Sequence, residues 1–218
     1  MKIKAYAKVN LMLDILGTLP NGYHNLWMIM QSVSLCDTVS VTTSDSKEIT
    51  ITCSKEGIPT DQKNIAHKAA RAFFDYTKTE NCGIHIHIEK NIPSEAGLAG
   101  GSADGAAVIK ALNELFGTSL SERELCRIGK TIGADVPFCI VGGTCLAQNI
   151  GEVIAPLEDI PLCYFVLAKP QMGVSTKEAY ESFDNANYIK KPKRDKMFTA
   201  AANGDFDEMC KLAANVFE

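Results

Sequence analysis

The chain is predicted to be α+β, with a mixed, largely antiparallel sheet packed on helices. Three observations point there. Segments that alternate apolar and polar residues at period two stand among segments with helical spacing, their order does not follow regular β-α-β alternation, and no repeat or low-complexity linker interrupts them. At 218 residues the chain can form one large or two small domains with a core that needs no disulfide staples.

The opening reads as a strand. Ile3, Ala5, Ala7, Val9, Leu11, Leu13 and Ile15 share one face, and Lys2, Lys4, Tyr6, Lys8, Asn10 and Asp14 the other. Asn21-Gly22 marks a turn. Further strands are expected over Ser32–Thr43, Glu48–Cys53, Ile84–Glu89, Gly143–Asn149 and Leu162–Ala168. A helix is expected near Asn64–Thr77, with Ile65, Ala69, Ala72, Phe73 and Tyr76 inward. Another begins in the glycine-rich stretch and runs through Ala106, Ile109, Leu112, Leu115 and Phe116 to a stop at Gly117. Ser121 and Glu124 spell a capping box for a helix over Glu122–Ile132 that Gly133 ends, and Asp135-Val136-Pro137-Phe138 reads as loop. Thr176–Phe183, Asp195–Asn203 and Phe206–Phe217 look helical.

Pro93-Ser94-Glu95-Ala96-Gly97-Leu98-Ala99-Gly100-Gly101-Ser102-Ala103-Asp104 lies between a strand and a helix, with Ser102 near the expected N-cap. Residues without side chains let backbone N–H groups approach a phosphate, and a helix N-terminus adds partial positive charge. The spacing matches neither a P-loop, since no lysine follows the glycines before Lys110, nor the dinucleotide fingerprint. A flexible loop without a ligand is the competing reading, and the strand-to-helix placement favours phosphate.

Charge and composition exclude several classes. A net charge of −4 carries no footprint for nucleic acid, and the basic run Lys190-Lys191-Pro192-Lys193-Arg194 reads as a solvated loop. Eight cysteines without C-x-x-C spacing fit buried reduced thiols better than zinc or a redox pair. The N-terminus has no signal-peptide pattern and no apolar run is long enough to span a membrane, so a cytoplasmic location is expected. His85 and His87 share a strand face but have no acidic or cysteine partner at metal-ligand spacing, so no protein metal site is expected.

Ala7-Lys8-Val9-Asn10-Leu11, Asn21-Gly22-Tyr23-His24, Gln31-Ser32-Val33, the glycine loop and Gly133-Ala134-Asp135-Val136-Pro137-Phe138 together closely resemble the 4-diphosphocytidyl-2-C-methyl-D-erythritol kinases of the GHMP kinase superfamily. The glycine loop alone indicates only the superfamily; Gly22-Tyr23-His24 and Ala134-Asp135-Val136-Pro137 indicate this branch. The resemblance implies a two-domain GHMP kinase-like fold, with an N-terminal ATP-binding domain over 1–152 and a partial C-terminal domain over 153–218. It implies transfer of the ATP γ-phosphoryl group to the 2-hydroxyl of a cytidylylated methylerythritol, with magnesium arriving on the nucleotide. Asp135 matches the catalytic aspartate and Lys8 its lysine partner. Asn64, Lys90, Pro93, Gly97, Leu98, Ala99, Gly100, Gly101, Ser102 and Ala103 match nucleotide positions; from spacing alone Asn64 is a helix cap and Lys90 a solvated strand end. Asn10, Tyr23, His24, Thr176 and Tyr180 match substrate positions, with His24 and Tyr180 on the cytosine ring.

Members of that family are longer, and their C-terminal part carries another glycine-rich loop, whereas here Gly204 is the only glycine after Gly173. The C-terminal domain is therefore expected to be incomplete and to expose apolar faces that favour self-association. Two other readings stay open at this point. One is another GHMP small-molecule kinase of the mevalonate, homoserine or galactose type; the other is a nucleotide-binding fragment without turnover. The small-molecule substrate is the one partner implied, and oligomeric state is not.

Overall fold

The computed structural model describes residues 1–80, 82–169, 175–186 and 190–217, with the side chains of 176 and 177 excepted. Contacts divide the chain into two units. The first contains Met1–Ala7, Val33–Pro93 and Leu98–Val141; the second contains Lys8–Ser32, Ser94–Gly97 and Gly142–Glu218.

The first unit takes the start of β1 (Lys2–Thr18), the later part of β2 (His24–Thr43), and β3 (Ile49–Cys53). It continues with α1 (Ile65–Thr77), β4 (Ile84–Glu89), α2 (Gly100–Leu115), α3 (Glu122–Lys130) and α4 (Val136–Val141). Strand β4 runs antiparallel to β2, with Val39 opposite Ile88, and parallel to β3, with Ile51 opposite Ile86. The inward residues Val39, Val41, Ile84, Ile86 and Ile88 meet Phe73 of α1 and Ala107, Val108 and Ala111 of α2 in one core. Burying that apolar face against two helices is what fixes the register, since a one-residue slip would turn it to water.

The second unit contains the remainder of β1 and β2, then β5 (Thr144–Asn149), β6 (Val153–Pro156), α5 (Thr176–Asp184), α6 (Arg194–Ala202), α7 (Phe206–Leu212) and the two-residue β7 (Ala214–Asn215). Here β5 is antiparallel to β2 and to β6, and β7 is parallel to β1, with Met12 opposite Ala214. Met12, Trp27, Ile29, Met197, Ala200, Ala201 and Met209 form its core. The sheet is mixed, and antiparallel pairings predominate among those described.

Several expectations need correction. Strand β2 begins at His24, eight residues before the expected Ser32, because Leu26–Gln31 pair with β5. Asp135–Phe138 is not all loop: Val136 opens helix α4, and Pro137 is tolerated in the first turn, where its missing N–H leaves no helical bond unmade. The inward face of α1 is Ala66, Ala69, Ala70, Phe73 and Phe74, so Tyr76 points to solvent. The last helix stops at Leu212. Leu162–Ala168 lies outside every strand, since its alternating residues find no ladder partner among the described residues. Leu162, Tyr164 and Val166 are consequently exposed (104%, 100% and 95%). The cysteines are reduced, but where buried thiols were expected only Cys145 is buried.

Candidate functional site

The glycine loop owes its shape to left-handed residues at every second position. Glu95, Gly97 and Ala99 have φ of 53°, 69° and 55°. Such alternation turns successive N–H groups toward one side, the concavity in which proteins hold anions. Ala99 is the N-cap of α2, and no side chain caps that helix. Ala103 N–H donates to Ala99 O at 2.9 Å, so the N–H groups before it are left at the open helix end. Ser102 is the third helical residue, past the cap position that its spacing suggested. Pro93 and Leu98 flank the turn half-buried, and Leu98 packs on the core of the first unit. Gly100 is required by close approach: a Cβ there would stand 3.0 Å from Ile92 Cγ2 and 3.1 Å from Lys90 Nζ.

Lys90 is not a solvated strand end. Its Nζ donates to Asp37 Oδ2 and Asp104 Oδ2, each at 2.5 Å, and all three side chains are buried. Asp37 Oδ1 also accepts from the backbone N–H groups of Asn91 and Ile92, at 2.5 and 2.8 Å. Asp104 Oδ1 is buried without a hydrogen-bond partner. Burial pushes the Asp104 carboxyl up to about 7, against the attraction of Lys90 and with help from Asp37. Burial alone would lower the Lys90 ammonium, but Asp104 and then Asp37 hold it above its usual value.

Asn64 is the helix cap its spacing suggested. Its Oδ1 accepts from Ala66 N–H at 2.8 Å and its Nδ2 donates to Pro59 O at 2.6 Å. Asp135 is half-buried at the turn into α4, where its carbonyl accepts from Cys139 N–H at 3.1 Å. Two glycines shape that elbow. A Cβ on Gly129 would come within 2.8 Å of Val136 Cγ1, and one on Gly133 would stand 3.8 Å from Ser102 Oγ. The first unit thus brings the start of α2 and the Asp135 elbow together.

In the second unit, Lys8 is buried (6% exposed) although it lies on the polar face of β1, and its Nζ donates to Asn10 Oδ1 at 3.2 Å. His24 stacks on Tyr180, centroids 4.5 Å apart and planes 16° from parallel, and its Nε2 lies 2.8 Å from Asp184 Oδ1. Phe183 meets His24 edge-on, and Phe217 meets both Tyr180 and Phe183 edge-on. Tyr23 is exposed at the end of the Asn21-Gly22 turn, apart from that stack. Thr176 begins α5, and its side chain lies outside the described part. The basic run is only partly solvated: Arg194 Nε and Lys191 Nζ reach buried Asp14 at 2.9 and 3.4 Å.

His85 and His87 hydrogen-bond to Thr50 and Thr52 on β3. Among the described residues, no group of three His, Cys, Asp or Glu is placed to hold a metal ion. No helix among them is long and apolar enough to cross a membrane.

Residues 64–143 match the GHMP kinases N terminal domain. A 4-diphosphocytidyl-2-C-methyl-D-erythritol kinase from Caldicellulosiruptor bescii is 47% identical over 218 residues, which is 100% of this chain and 76% of that protein. The chain belongs to the 4-diphosphocytidyl-2-C-methyl-D-erythritol kinase family. A crystal structure of a 4-(cytidine 5'-diphospho)-2C-methyl-D-erythritol kinase superposes with a TM-score of 0.73 at 30% identity, over 94% of this chain and 72% of that one. The mevalonate kinase of Methanococcus jannaschii, at 18% identity and a TM-score of 0.66 over 98% of this chain and 73% of its own, shares the fold. Membership of this kinase family makes the chain a small-molecule kinase of GHMP architecture.

Two buried carboxylates of this family member are not evident from motifs, yet each carries a signal in the sequence. Asp37 shares its strand face with Val33, Leu35, Val39 and Val41, so it interrupts an apolar stripe. Asp104 lies on the helix face of Ala107, Val108 and Ala111. A charge on a buried stripe needs a partner, and Lys90 serves both.

Proposed function

We propose that this chain transfers the γ-phosphoryl group of ATP to the 2-hydroxyl of 4-diphosphocytidyl-2-C-methyl-D-erythritol, a cytoplasmic step in isoprenoid precursor synthesis. The observation that carries the reading is the left-handed alternation at Glu95, Gly97 and Ala99 leading into an uncapped helix, in a chain 47% identical to a kinase of that name. Backbone N–H groups there are suited to the triphosphate, which binds without needing a side-chain cation in the loop.

In this reading residues 1–152 hold the nucleotide and residues 153–218 contribute to the substrate side. Asp135 orients the substrate hydroxyl and accepts its proton as the new oxygen–phosphorus bond forms and the bond to the ADP oxygen breaks. Lys8 offsets charge on the phosphoryl oxygens, and its burial supports such a role, because a buried ammonium acts through a lower dielectric than a solvated one. Phosphoryl transfer depends mainly on positioning and electrostatics, so a weak base suffices. Asn10, hydrogen-bonded to Lys8, fixes that ammonium and faces the substrate. His24 and Tyr180 form an aromatic surface suited to a pyrimidine, and Tyr23 and Thr176 serve as further substrate contacts. Asn64 and Lys90 have their side chains engaged by protein groups, so they serve the nucleotide by placing backbone. Magnesium accompanies ATP; the described carboxylates form no cage for it, and no residue here is assigned to it.

The test is ADP release from Mg-ATP with the cytidylyl substrate, beside mevalonate and homoserine. ADP formed with the cytidylyl alcohol alone supports the reading. ADP with mevalonate or homoserine would move the chain to another GHMP specificity, and ATP binding without ADP from any alcohol would make it a binding module.

A further inference from the structure

The Lys90 cluster contains more negative than positive charge. One ammonium faces two carboxylates, all buried, and one carboxylate oxygen, Asp104 Oδ1, has no partner. The charged groups that act on Asp104 are Lys90, from the end of β4, and Asp37, from β2. Helix α1 meets this end of α2 through apolar Ile65 and Ala69. The three groups differ in how they are held. Asp37 accepts from three N–H donors and is anchored to backbone. Lys90 is fixed at both carboxylates and lies against Gly100, the first residue of α2. Asp104 accepts from Lys90, has one bare oxygen, and lies within hydrogen-bond reach of the Asp37 carboxyl once either is protonated.

We propose that Asp104 is a positioning residue for the nucleotide: through Lys90 it supports the first turn of α2, and its carboxyl takes up a proton from solvent as the triphosphate docks on that turn. The inference rests on the nucleotide reading above. A surplus negative charge one turn inside the helix opposes an incoming polyanion. Adding a proton to the Asp104 carboxyl leaves one ammonium against one carboxylate and removes the opposition. Asp104 is the member able to respond, because burial already brings its carboxyl to about 7. A unit charge brought to about 10 Å at an effective dielectric of about 20 changes a proton's affinity about tenfold. By linkage, the same factor tightens nucleotide binding as pH falls through neutrality.

Calorimetric titration of the full chain with Mg-ATP at about pH 7, in buffers of differing ionisation enthalpy, counts the protons exchanged. Asp104→Asn is the comparison, since the amide is neutral like the protonated acid and the nucleotide's own protons cancel between the two proteins. Wild type should take up a fraction of a proton more than Asp104→Asn does. Wild-type affinity should rise about fivefold from pH about 8 to about 6 relative to Asp104→Asn. Equal proton counts and parallel pH profiles would overturn the proposal while leaving ATP binding intact. Absence of ATP binding by wild type would instead remove the nucleotide reading and this proposal with it. Should Asp104→Asn fail to fold, carbon-13 carboxyl NMR of wild type serves: one aspartate should titrate near neutrality and move upward with Mg-ATP. Titration of every aspartate below about 5, or a midpoint unmoved by Mg-ATP, overturns the proposal.

Discussion

His24 lies flat against Tyr180, with ring centroids 4.5 Å apart, while its Nε2 meets Asp184 Oδ1 at 2.8 Å. A strand end and helix α5 therefore present one aromatic surface whose polar edge is already oriented. Stacking on a base is worth about 1–3 kcal/mol, so Tyr180→Ala should raise KM for the cytidylyl substrate roughly 10–100-fold. KM for ATP should stay within about twofold. Steady-state kinetics on both substrates checks this, and an equal rise in both would remove Tyr180 from the pyrimidine.

Asp135→Asn should lower kcat by about 10²–10⁴ while preserving ATP affinity, the range for losing a positioned general base. Lys8→Met should also lower kcat, by about 10²–10³, since it removes a charge aimed at the phosphoryl group. Single-turnover phosphoryl transfer separates these losses from product release. Full activity in either variant would return that residue to a structural role.

Gly100→Ala places a methyl 3.0 Å from Ile92 Cγ2 and 3.1 Å from Lys90 Nζ. Overpacking of this kind costs about 1–3 kcal/mol. The variant should melt earlier and bind ATP more weakly, because the turn that must move is the one offering the N–H groups. Thermal denaturation with and without ATP reads both effects, and an unchanged ligand-induced shift in Tm would contradict the second.

Asp104 should also shape the pH dependence of stability. Its folded-state value is raised from 3.8 to about 7, so between those values the folded state holds a proton that the unfolded chain has lost. Stability from this group is therefore full at acid pH and declines as pH rises toward neutrality, by on the order of a few kcal/mol. Asp104→Asn should flatten that decline in denaturant titrations. A wild-type profile that rises steadily from acid to neutral pH, unchanged in Asp104→Asn, would contradict it.

Leu162, Tyr164 and Val166 stand exposed in a segment with strand composition and no ladder partner among the described residues. Such a surface favours pairing with a second copy. Replacing Tyr164 and Val166 by lysine should reduce concentration-dependent association in sedimentation velocity without altering the far-UV spectrum. A monomer at all concentrations in wild type would end this expectation.

Strand identity was legible where apolar residues alternated over a long run, as at Ile84–Glu89, and helix starts where a cap was spelled out, as at Asn64 and Ser121. Alternation failed at Leu162–Ala168, because a strand requires a neighbour that its own residues do not specify. Single-residue offsets, such as the rotated face of α1, arose because several faces of an alanine-rich helix are apolar enough to bury.

By itself the sequence determined the α+β class, the glycine turn between strand and helix, and the kinase family. Each rests on local pattern or on motifs whose chemistry is written in consecutive residues. Only tertiary structure decided that Lys90 is an internal cation shared by Asp37 and Asp104, that Lys8 is buried on a polar face, and that His24 meets Tyr180. Those pairings join residues far apart in the chain, and whether a charge there is solvated or paired depends on which other segments exclude water around it.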